Sequence, residues 1–260
     1  CIAGLTGKNI SIEDIVFKIG PRINAAGRIE SGNQAVELLV SEIPDEAALH
    51  CEKINSHNQT RRNIDKIITE EALHEIAKSD KYKFSTVLFN PNWHKGVIGI
   101  VASRLIESYF RPTIILTESN GHATGSARSI PGFDLYQAIT ECADLLENYG
   151  GHMYAAGITL KTDNIQKFRD RFEEVVKNSV TPELLIPQID IDTELNFKDI
   201  TPKMLRILKQ FEPFGPENTI PVFFAESVAD NGYVRLVGSV EEHLQLGLIQ
   251  EENPFTVYRA

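Results

Sequence analysis

The segment over residues 44–78 constrains the fold more than any other part of this sequence, because no glycine and no second proline interrupts it. Pro44 suits the first turn of a helix, and the two acidic residues that follow favour the positive end of the helix dipole. At 1.5 Å per residue, a helix of this length extends roughly 50 Å. Its centre, residues 55–63, is polar, which is typical of a helix that bridges two domains. We therefore predict a long connecting helix over residues 43–80.

Residues 84–178 alternate between short β-branched segments and amphipathic segments. The predicted strands are Thr86–Phe89, Thr113–Leu116, His122–Arg128 and Ile158–Leu160, and the predicted helices are Val97–Tyr109, Leu135–Glu147 and Ile165–Asn178. Such alternation is typical of an α/β fold, here with a mixed sheet.

The two ends of the sequence have different patterns. Residues 1–42 look like the end of a domain, with a loop-to-helix segment at Pro21–Ile29 and a helix at Asn33–Val40. After Pro187 the sequence favours a small β-barrel. Its predicted elements are strands at Gln188–Asp192, Val222–Glu226, Tyr233–Gly238 and Leu244–Ile249, and a helix at Pro202–Phe211. The predicted domain boundaries are 1–42, 43–80, 81–180 and 181–260. Because the sequence opens in mid-pattern at Cys1, we expect it to be a fragment.

Three glycine-rich segments lie close together in the middle of the chain, at Gly125–Ser129, Pro131–Tyr136 and Gly150–Gly157. Glycine and alanine leave backbone N–H groups open to a ligand. Donors suited to a phosphate lie in or beside these segments. They are Ser126, Arg128, Ser129 and His152. We infer a phosphoester substrate, with a nucleic acid favoured.

The net charge of −10 argues against a protein that coats nucleic acid broadly. Acidic residues are concentrated in residues 181–260, however, which carry 13 acidic and 6 basic side chains. Two basic clusters precede this region, namely Lys18 with Arg22 and Arg28, and Arg61 with Arg62 and Lys66. The charge distribution is therefore compatible with a narrow strand-binding channel.

The three cysteines, Cys1, Cys51 and Cys142, are widely spaced and fit neither a disulfide framework nor a zinc site. No apolar run approaches the roughly 20 residues of a membrane span. We therefore expect a cytoplasmic protein without membrane contact.

Five motifs together resemble the RecJ family of single-strand-specific exonucleases in the DHH phosphoesterase superfamily. Gly20–Arg28 resembles the segment that closes the DHH domain, and Trp93–Leu105 the start of the DHH-associated domain. The other three are Ser126–Ser129, Gly150–Gly157 and Phe211–Asn218, the last resembling the entry to an OB-fold domain. The resemblance spans essentially the whole chain. It implies a DHH-associated α/β domain that is preceded by the long helix and followed by the OB-like barrel.

The resemblance also implies an activity, namely 5′→3′ hydrolysis of single-stranded DNA in recombination and repair. It implies Mn²⁺ or Mg²⁺ ions held by Asp/His motifs of the DHH domain. No Asp-His-His occurs in this sequence, so we expect no metal ligands here and no activity from the fragment alone. The partners that we expect are single-stranded DNA, and a single-strand-binding protein or a helicase, with a monomeric enzyme.

Residue by residue, the resemblance implies that Arg128 and Ser126 capture the 5′-terminal phosphate, with Ser129 as a weaker candidate. His152 would donate to the scissile phosphate or lie over the metal site. From the residues alone, Arg128 also fits an exposed strand arginine beside a turn serine. Gly150 and Gly151 would permit backbone contact with the substrate.

Further candidates lie in the first eighty residues. At least one of Arg22 and Arg28 would contact a backbone phosphate, while the other could pair with an acid such as Glu30. Three residues of the long helix, Asn58, Arg61 and Arg62, would line the strand channel or form a solvated face. Trp93, nearby in the sequence, fits either a base-stacking residue or, more readily, a core anchor.

Two alternative functions remain at this point. One is an oligoribonuclease or nucleotide phosphatase of the same superfamily, although such enzymes end near the Gly-Gly-His segment. The other is a non-catalytic module that binds single strands and needs no metal.

Overall fold

The computed structural model of the chain describes residues 4, 5, 7, 10–78, 81–238, 243–251 and 253–259. Cys1 lies outside them. The chain divides into two units, Cys1–Pro187 and Gln188–Ala260. No helix within the described residues is both long and apolar enough to cross a membrane.

The first unit begins with helices. A π-helical segment at Asp14–Ile19 runs into α1 (Gly20–Ile29), which is followed by α2 (Asn33–Val40) and α3 (Pro44–Ala77). A small buried cluster of Ala26, Ala35 and Ile54 joins α1 and α2 to the first half of α3. The second half of α3 buries Ile68, Ala72 and Ile76 in a different cluster, which includes sheet residues. The predicted long helix is thus confirmed, and its two halves bury apolar surface against different neighbours.

A five-stranded mixed sheet follows α3. Its strands are β1 (Thr86–Phe89), β2 (Thr113–Ser119), β3 (His122–Arg128), β4 (Asn148–His152) and β5 (Ala155–Leu160), and their order in the sheet is β1-β2-β3-β5-β4. β1 and β2 are parallel, as a crossover through α4 (Ile98–Tyr109) requires, and the other pairs are antiparallel. This arrangement confirms the predicted mixed-sheet α/β fold.

Helices cover the two faces of the sheet unequally. On one face α5 (Leu135–Thr140) and α6 (Ile165–Ser179) enclose the larger core, in which Phe168 and Phe172 are fully buried. On the other face α4 and the end of α3 pack over Leu88 and Ile115 of β1 and β2. The outward residues of β4 and β5 are largely exposed on that second face, which leaves part of the sheet open.

Side chains of α6 complete the edge of the sheet at β1. The Glu173 carboxylate accepts hydrogen bonds from the amides of residues 83–85, at 2.7, 3.0 and 2.8 Å, and from the Ser85 hydroxyl at 2.6 Å. Arg169 Nε donates to the carbonyl oxygen of Val87 at 2.8 Å. The Arg169 bond occupies a backbone carbonyl of β1 that a neighbouring strand would otherwise use, so it also protects this edge against unwanted pairing.

One predicted helix is wrong over half its length. The helix predicted over Leu135–Glu147 ends at Thr140, a 3₁₀ turn follows at Ala143–Leu145, and β4 then begins at Asn148. The sequence did not predict β4 because Gly150 and Gly151 have low strand propensity. Pairing with β5 overrides that propensity, since Gly150 lies opposite Gly157 in an antiparallel ladder.

The second unit is built from short strands. β8 (Val228–Val237), β9 (His243–Gln250) and β10 (Asn253–Arg259) form an antiparallel sheet, and β6 (Thr193–Glu194) pairs with β7 (Phe223–Phe224). Its helix, α7 (Pro202–Leu208), is capped by the Thr201 hydroxyl. The predicted strand at Gln188–Asp192 is wrong, because strand pairing there begins at Thr193.

Candidate nucleic-acid interface

A row of three residues crosses the open face of the sheet. Strand pairing places Arg128 opposite Ala155, and Ala155 opposite His152, so the three side chains point to the same face. Neighbouring strands lie about 4.8 Å apart, which separates the backbones of Arg128 and His152 by roughly 10 Å. The small side chain between them leaves a shallow floor with a cationic group at one side and an imidazole at the other.

A parallel row lies one step further along the strands. Ser126 is opposite Gly157, which in turn is opposite Gly150. Two of these three positions carry no side chain, and Gly150 and Gly157 are both exposed. The backbone of β4 and β5 is therefore accessible beside the Ser126 hydroxyl, as close approach of a ligand requires.

Gly151 serves the strand itself rather than the open face. It adopts φ +155°, and a Cβ atom at this position would lie 2.8 Å from Cβ of Ala156 and collide with the carbonyl of Ala155. Its absence of a side chain lets β4 approach β5. Gly150 has no such neighbour, so its surroundings leave room for a ligand.

The first turn of α4 closes one side of the floor. A Cβ atom on Gly99 would lie 2.9 Å from Ser126 Oγ and 3.1 Å from Arg128 Nη2. Arg128 Nη1 donates to Ser126 Oγ at 2.9 Å and to the carbonyl of Ala127 at 2.8 Å. The Arg128 guanidinium is therefore held against the N-terminus of α4, which is the positive end of the helix dipole. An anion bound there would contact both the guanidinium and the helix N-terminus.

Arg28 joins α1 to the same place. Its Nη1 donates to the carbonyl of Gly96 at 3.1 Å, and a Cβ atom on Gly96 would collide with the Arg28 carbonyl. Burial and then the charge of Arg28 lower the pKa of Arg128. Two guanidinium groups thus repel each other beside α4, which is typical of a site that awaits an anion.

The cationic region extends along α3. Burial is the main cause that lowers the pKa of Arg61, and the charges of Arg62, Arg28 and Arg104 lower it further, whereas Asp65 opposes them. Arg61 Nη2 donates to Oδ1 of Asn58 at 3.2 Å. Arg28 interacts electrostatically with both Arg61 and Arg128 and so links α3 to the sheet. We use the name arginine cluster for Arg28, Arg61, Arg62, Arg104 and Arg128.

The remaining candidates make other contacts. The Ser129 hydroxyl donates to the carbonyl of Phe133 at 2.8 Å and so closes the turn after β3. Arg22 donates through Nε to Asn55 at 3.2 Å and through Nη1 to the carbonyl of Lys18 at 2.6 Å. Asn58 is only 5 % exposed, so it holds Arg61 rather than presenting a free amide.

The structure also defines the surroundings of His152, Trp93 and Glu30. His152 is exposed, and its Nδ1 accepts from the amide of Tyr154 at 3.3 Å, which leaves the proton of a neutral ring on Nε2. Trp93 is buried and donates to Glu71 at 2.7 Å, so the structure favours the core anchor over base stacking. The Glu30 carboxylate accepts a hydrogen bond from the side-chain amide of Gln34 at 2.8 Å, so the partner in this bond is not an arginine.

Sequence reasoning missed several members of this site. Gly96 and Gly99 lay within a recognised motif but were not assigned a role, and Arg104 and Asp65 were not considered. The signal was weak, since a helix arginine and a helix aspartate are ordinary surface residues by pattern alone. Within the described part of the chain, no group of three or more His, Cys, Asp or Glu side chains could hold a metal ion.

Comparison with known proteins identifies two domains. The DHHA1 domain model matches residues 79–178, and the RecJ OB domain model matches residues 191–259. Together with the long helix and the mixed sheet, these matches confirm the predicted fold class, including the OB-like second unit.

Relatives match nearly the whole chain. The single-stranded-DNA-specific exonuclease RecJ of Bacillus subtilis (strain 168) is 35% identical over 243 residues, which is 93% of this chain and 31% of the relative. RecJ of Escherichia coli (strain K12) is 31% identical over 258 residues, which is 94% of this chain and 43% of the relative. The crystal structure of RecJ in complex with Mn²⁺ from Thermus thermophilus superimposes with a TM-score of 0.81 at 26% identity, covering 98% of this chain and 37% of that one. The chain therefore spans less than half the length of these relatives.

Proposed function

The chain belongs to the RecJ family, and on that premise we propose that it is the substrate-binding part of a metal-dependent exonuclease that degrades single-stranded DNA from the 5′ end. Its task would be to hold the strand while a metal centre elsewhere in the whole enzyme hydrolyses the phosphodiester. Recombination and repair are the processes that such an enzyme would serve.

One observation carries this proposal, namely the junction of the open sheet face with the first turn of α4. Ser126 and Arg128 lie there against Gly99, with Arg28 close by. A guanidinium fork, a hydroxyl and a helix N-terminus are the groups that recognise a terminal phosphate. Because the floor beside them is formed by small residues, the sugar and base of a terminal nucleotide could lie on it.

The other residues receive roles along the strand. His152, at the far side of the floor, would donate from Nε2 to the scissile phosphate. Gly150 would offer backbone contact with the strand, and Gly151 would support it by keeping β4 close to β5. Arg28, Arg61 and Arg62 would contact the phosphates that follow.

Two earlier candidates take supporting roles in this proposal. Ser129 would fix the turn that ends β3, as its bond to Phe133 suggests. Arg22 would contact a phosphate only if its bonds to Asn55 and Lys18 were exchanged for it, so Arg28 is the better placed of the two arginines on α1.

The metal requirement comes from relatives. Solved RecJ structures contain Mn²⁺ or Mg²⁺, and we propose the same ions for the whole enzyme, where they would activate a water and stabilise the transferring phosphoryl group. The described residues of this chain do not form a cluster that fits such an ion. We therefore assign this chain binding and positioning, and no step at the metal.

Several broader features follow from the same proposal. A narrow channel would admit a single strand and exclude a duplex, and the OB domain would make further contacts with the strand. We place the enzyme in the cytoplasm as a monomer, where a helicase or a single-strand-binding protein would prepare its substrate.

The test uses the full-length protein that carries this sequence. A 3′-labelled oligonucleotide with a 5′-phosphate is incubated with the protein and Mn²⁺, alone and annealed to its complement. We expect labelled products that shorten progressively from the single strand, and an intact duplex. Immediate release of the label, or equal degradation of the duplex, would contradict the proposal. With residues 1–260 alone we expect binding without cleavage.

A further inference from the structure

Asp65 is a buried acid in the middle of the connecting helix α3. It is only 1 % exposed, and burial of a carboxylate is costly unless it is paired. The site described above assigns it no contact with a substrate. A carboxylate buried in this way is stable only if a positively charged group lies close to it.

That partner is Arg104 of α4. Nη2 of Arg104 lies 2.9 Å from Oδ2 of Asp65, while the Arg104 side chain remains 52 % exposed. The contact is an ion pair rather than a hydrogen bond, because neither carboxylate oxygen of Asp65 has a hydrogen-bond partner among the described residues. One end of the guanidinium is thus tied to a buried carboxylate, and the rest is open to solvent. This differs from a surface ion pair, in which both side chains move freely and contribute little.

Asp65 also acts on Arg61, one turn earlier on the same helix. Its charge raises the pKa of Arg61 against the lowering effects of burial and of Arg62, Arg28 and Arg104. Nε of Arg61 is buried without a hydrogen-bond partner among the described residues. A single carboxylate therefore stabilises two arginines that would otherwise repel each other, without neutralising the whole arginine cluster.

We propose that Asp65 is a positioning residue that holds Arg104, together with Arg61, as a second phosphate subsite beside the Arg28–Arg128 end of the arginine cluster. This inference rests on the proposed function, because it assumes that the strand passes this surface. The ligand would be a phosphate of the strand backbone, bound further from the 5′ end than the phosphate at Arg128. Two phosphate subsites at different positions on this surface would fix the direction in which a strand lies.

The experiment is a double-mutant cycle in the full-length protein. Asp65→Asn, Arg104→Gln and the double variant are compared for equilibrium binding of a 5′-phosphorylated single strand over a range of salt concentrations. Asp144→Asn and Arg171→Gln alter an exposed pair at 3.3 Å and serve as matched controls for loss of charge. Thermal melting of every variant separates binding from stability.

We expect Asp65→Asn and Arg104→Gln each to weaken binding about tenfold, as loss of one charge-assisted hydrogen bond implies. The double variant should bind only slightly more weakly than Arg104→Gln, because Asp65 acts mainly through Arg104 and only in part through Arg61. In both single variants, the slope of the logarithm of the binding constant against the logarithm of the salt concentration should decrease in magnitude by about 0.7, which corresponds to one lost phosphate contact. If the pair had only a structural role, this slope would not change.

Four outcomes distinguish failure of this inference from failure of the proposed function. Unchanged or tighter binding by Asp65→Asn, with wild-type binding intact, would overturn the inference and leave the proposed function standing. Additive losses in the double variant would overturn it too. If Asp65→Asn does not fold, an unchanged salt slope in Arg104→Gln would still overturn it. Failure of the wild-type protein to bind any single strand would instead remove the proposed function.

Discussion

Replacement of Arg128 by glutamine should remove recognition of the 5′-phosphate and little else. Arg128 is half-buried, and both of its hydrogen bonds to the residues that the structure describes are made by Nη1. The guanidinium is therefore oriented before a ligand arrives, so binding loses little side-chain entropy. Glutamine keeps some of the volume but lacks both the charge and the donor fork.

The size of the effect follows from the bonds that are lost. One charge-assisted hydrogen bond contributes about 1.5–3 kcal/mol net, and a fork makes two that are not fully additive. We therefore expect a loss of about 3 kcal/mol, which is roughly a hundredfold in Kd for a phosphorylated strand. A strand with a 5′-hydroxyl lacks the ligand for this fork, so its Kd should change much less.

The assay is fluorescence anisotropy with oligonucleotides that differ only in the 5′-phosphate. Arg171→Gln is the matched control, because Arg171 lies on α6 and pairs with Asp144. Wild type and control should prefer the phosphorylated strand, and Arg128→Gln should bind both strands alike. If Arg128→Gln weakens both strands equally, or neither, the assignment of a terminal phosphate to Arg128 is wrong.

Three further predictions concern packing. Gly99→Ala should weaken binding of the phosphorylated strand about tenfold with a small change in melting temperature, because the new methyl group displaces Ser126 Oγ and Arg128 Nη2; an unchanged anisotropy titration would contradict this. Glu173→Ala should lower the free energy of unfolding by about 3 kcal/mol in urea denaturation, because a carboxylate that accepts four hydrogen bonds is lost; a change below about 1 kcal/mol would contradict that role. Cys142 should resist iodoacetamide at pH 8 in the folded protein and react on unfolding, because burial raises the pKa of its thiol to about 12; rapid labelling of native Cys142 would show that the core opens.

The elements that the sequence predicted well are those with strong local signals. The connecting helix was predicted because its proline start and uninterrupted run leave no alternative to a helix. Strand Thr86–Phe89 was predicted with its observed boundaries because it is β-branched and buried. In both cases local preference and tertiary environment agree.

The elements that were missed depend on pairing between distant residues. β4 contains two adjacent glycines, and it is a strand only because β5 pairs with it. The register of that pairing places Arg128, Ala155 and His152 in one row, which no local pattern could indicate. Sequence reasoning could therefore name donors suited to a phosphate. It could not show that Arg128 and His152 lie on the same face of the sheet.

The arginine cluster shows the same limitation more clearly. Arg28 contacts Gly96 across 68 positions of sequence, and Asp65 pairs with Arg104 between two helices. A single sequence carries no record of such contacts. Arg28 and Arg61 were candidates because of their charge, whereas Arg104 acquires a role only through the packing of α4 against α3.

The measurement that tests this account most directly is a backbone amide NMR titration of the chain with a short 5′-phosphorylated single strand. The account predicts that the largest shift changes fall on the rows through Ser126 and Arg128 and on the first turn of α4, around Gly99. Changes should be smaller when the strand carries a 5′-hydroxyl. Shift changes confined to residues 188–260, or spread without a maximum, would contradict the claim that the open sheet face receives the 5′ end.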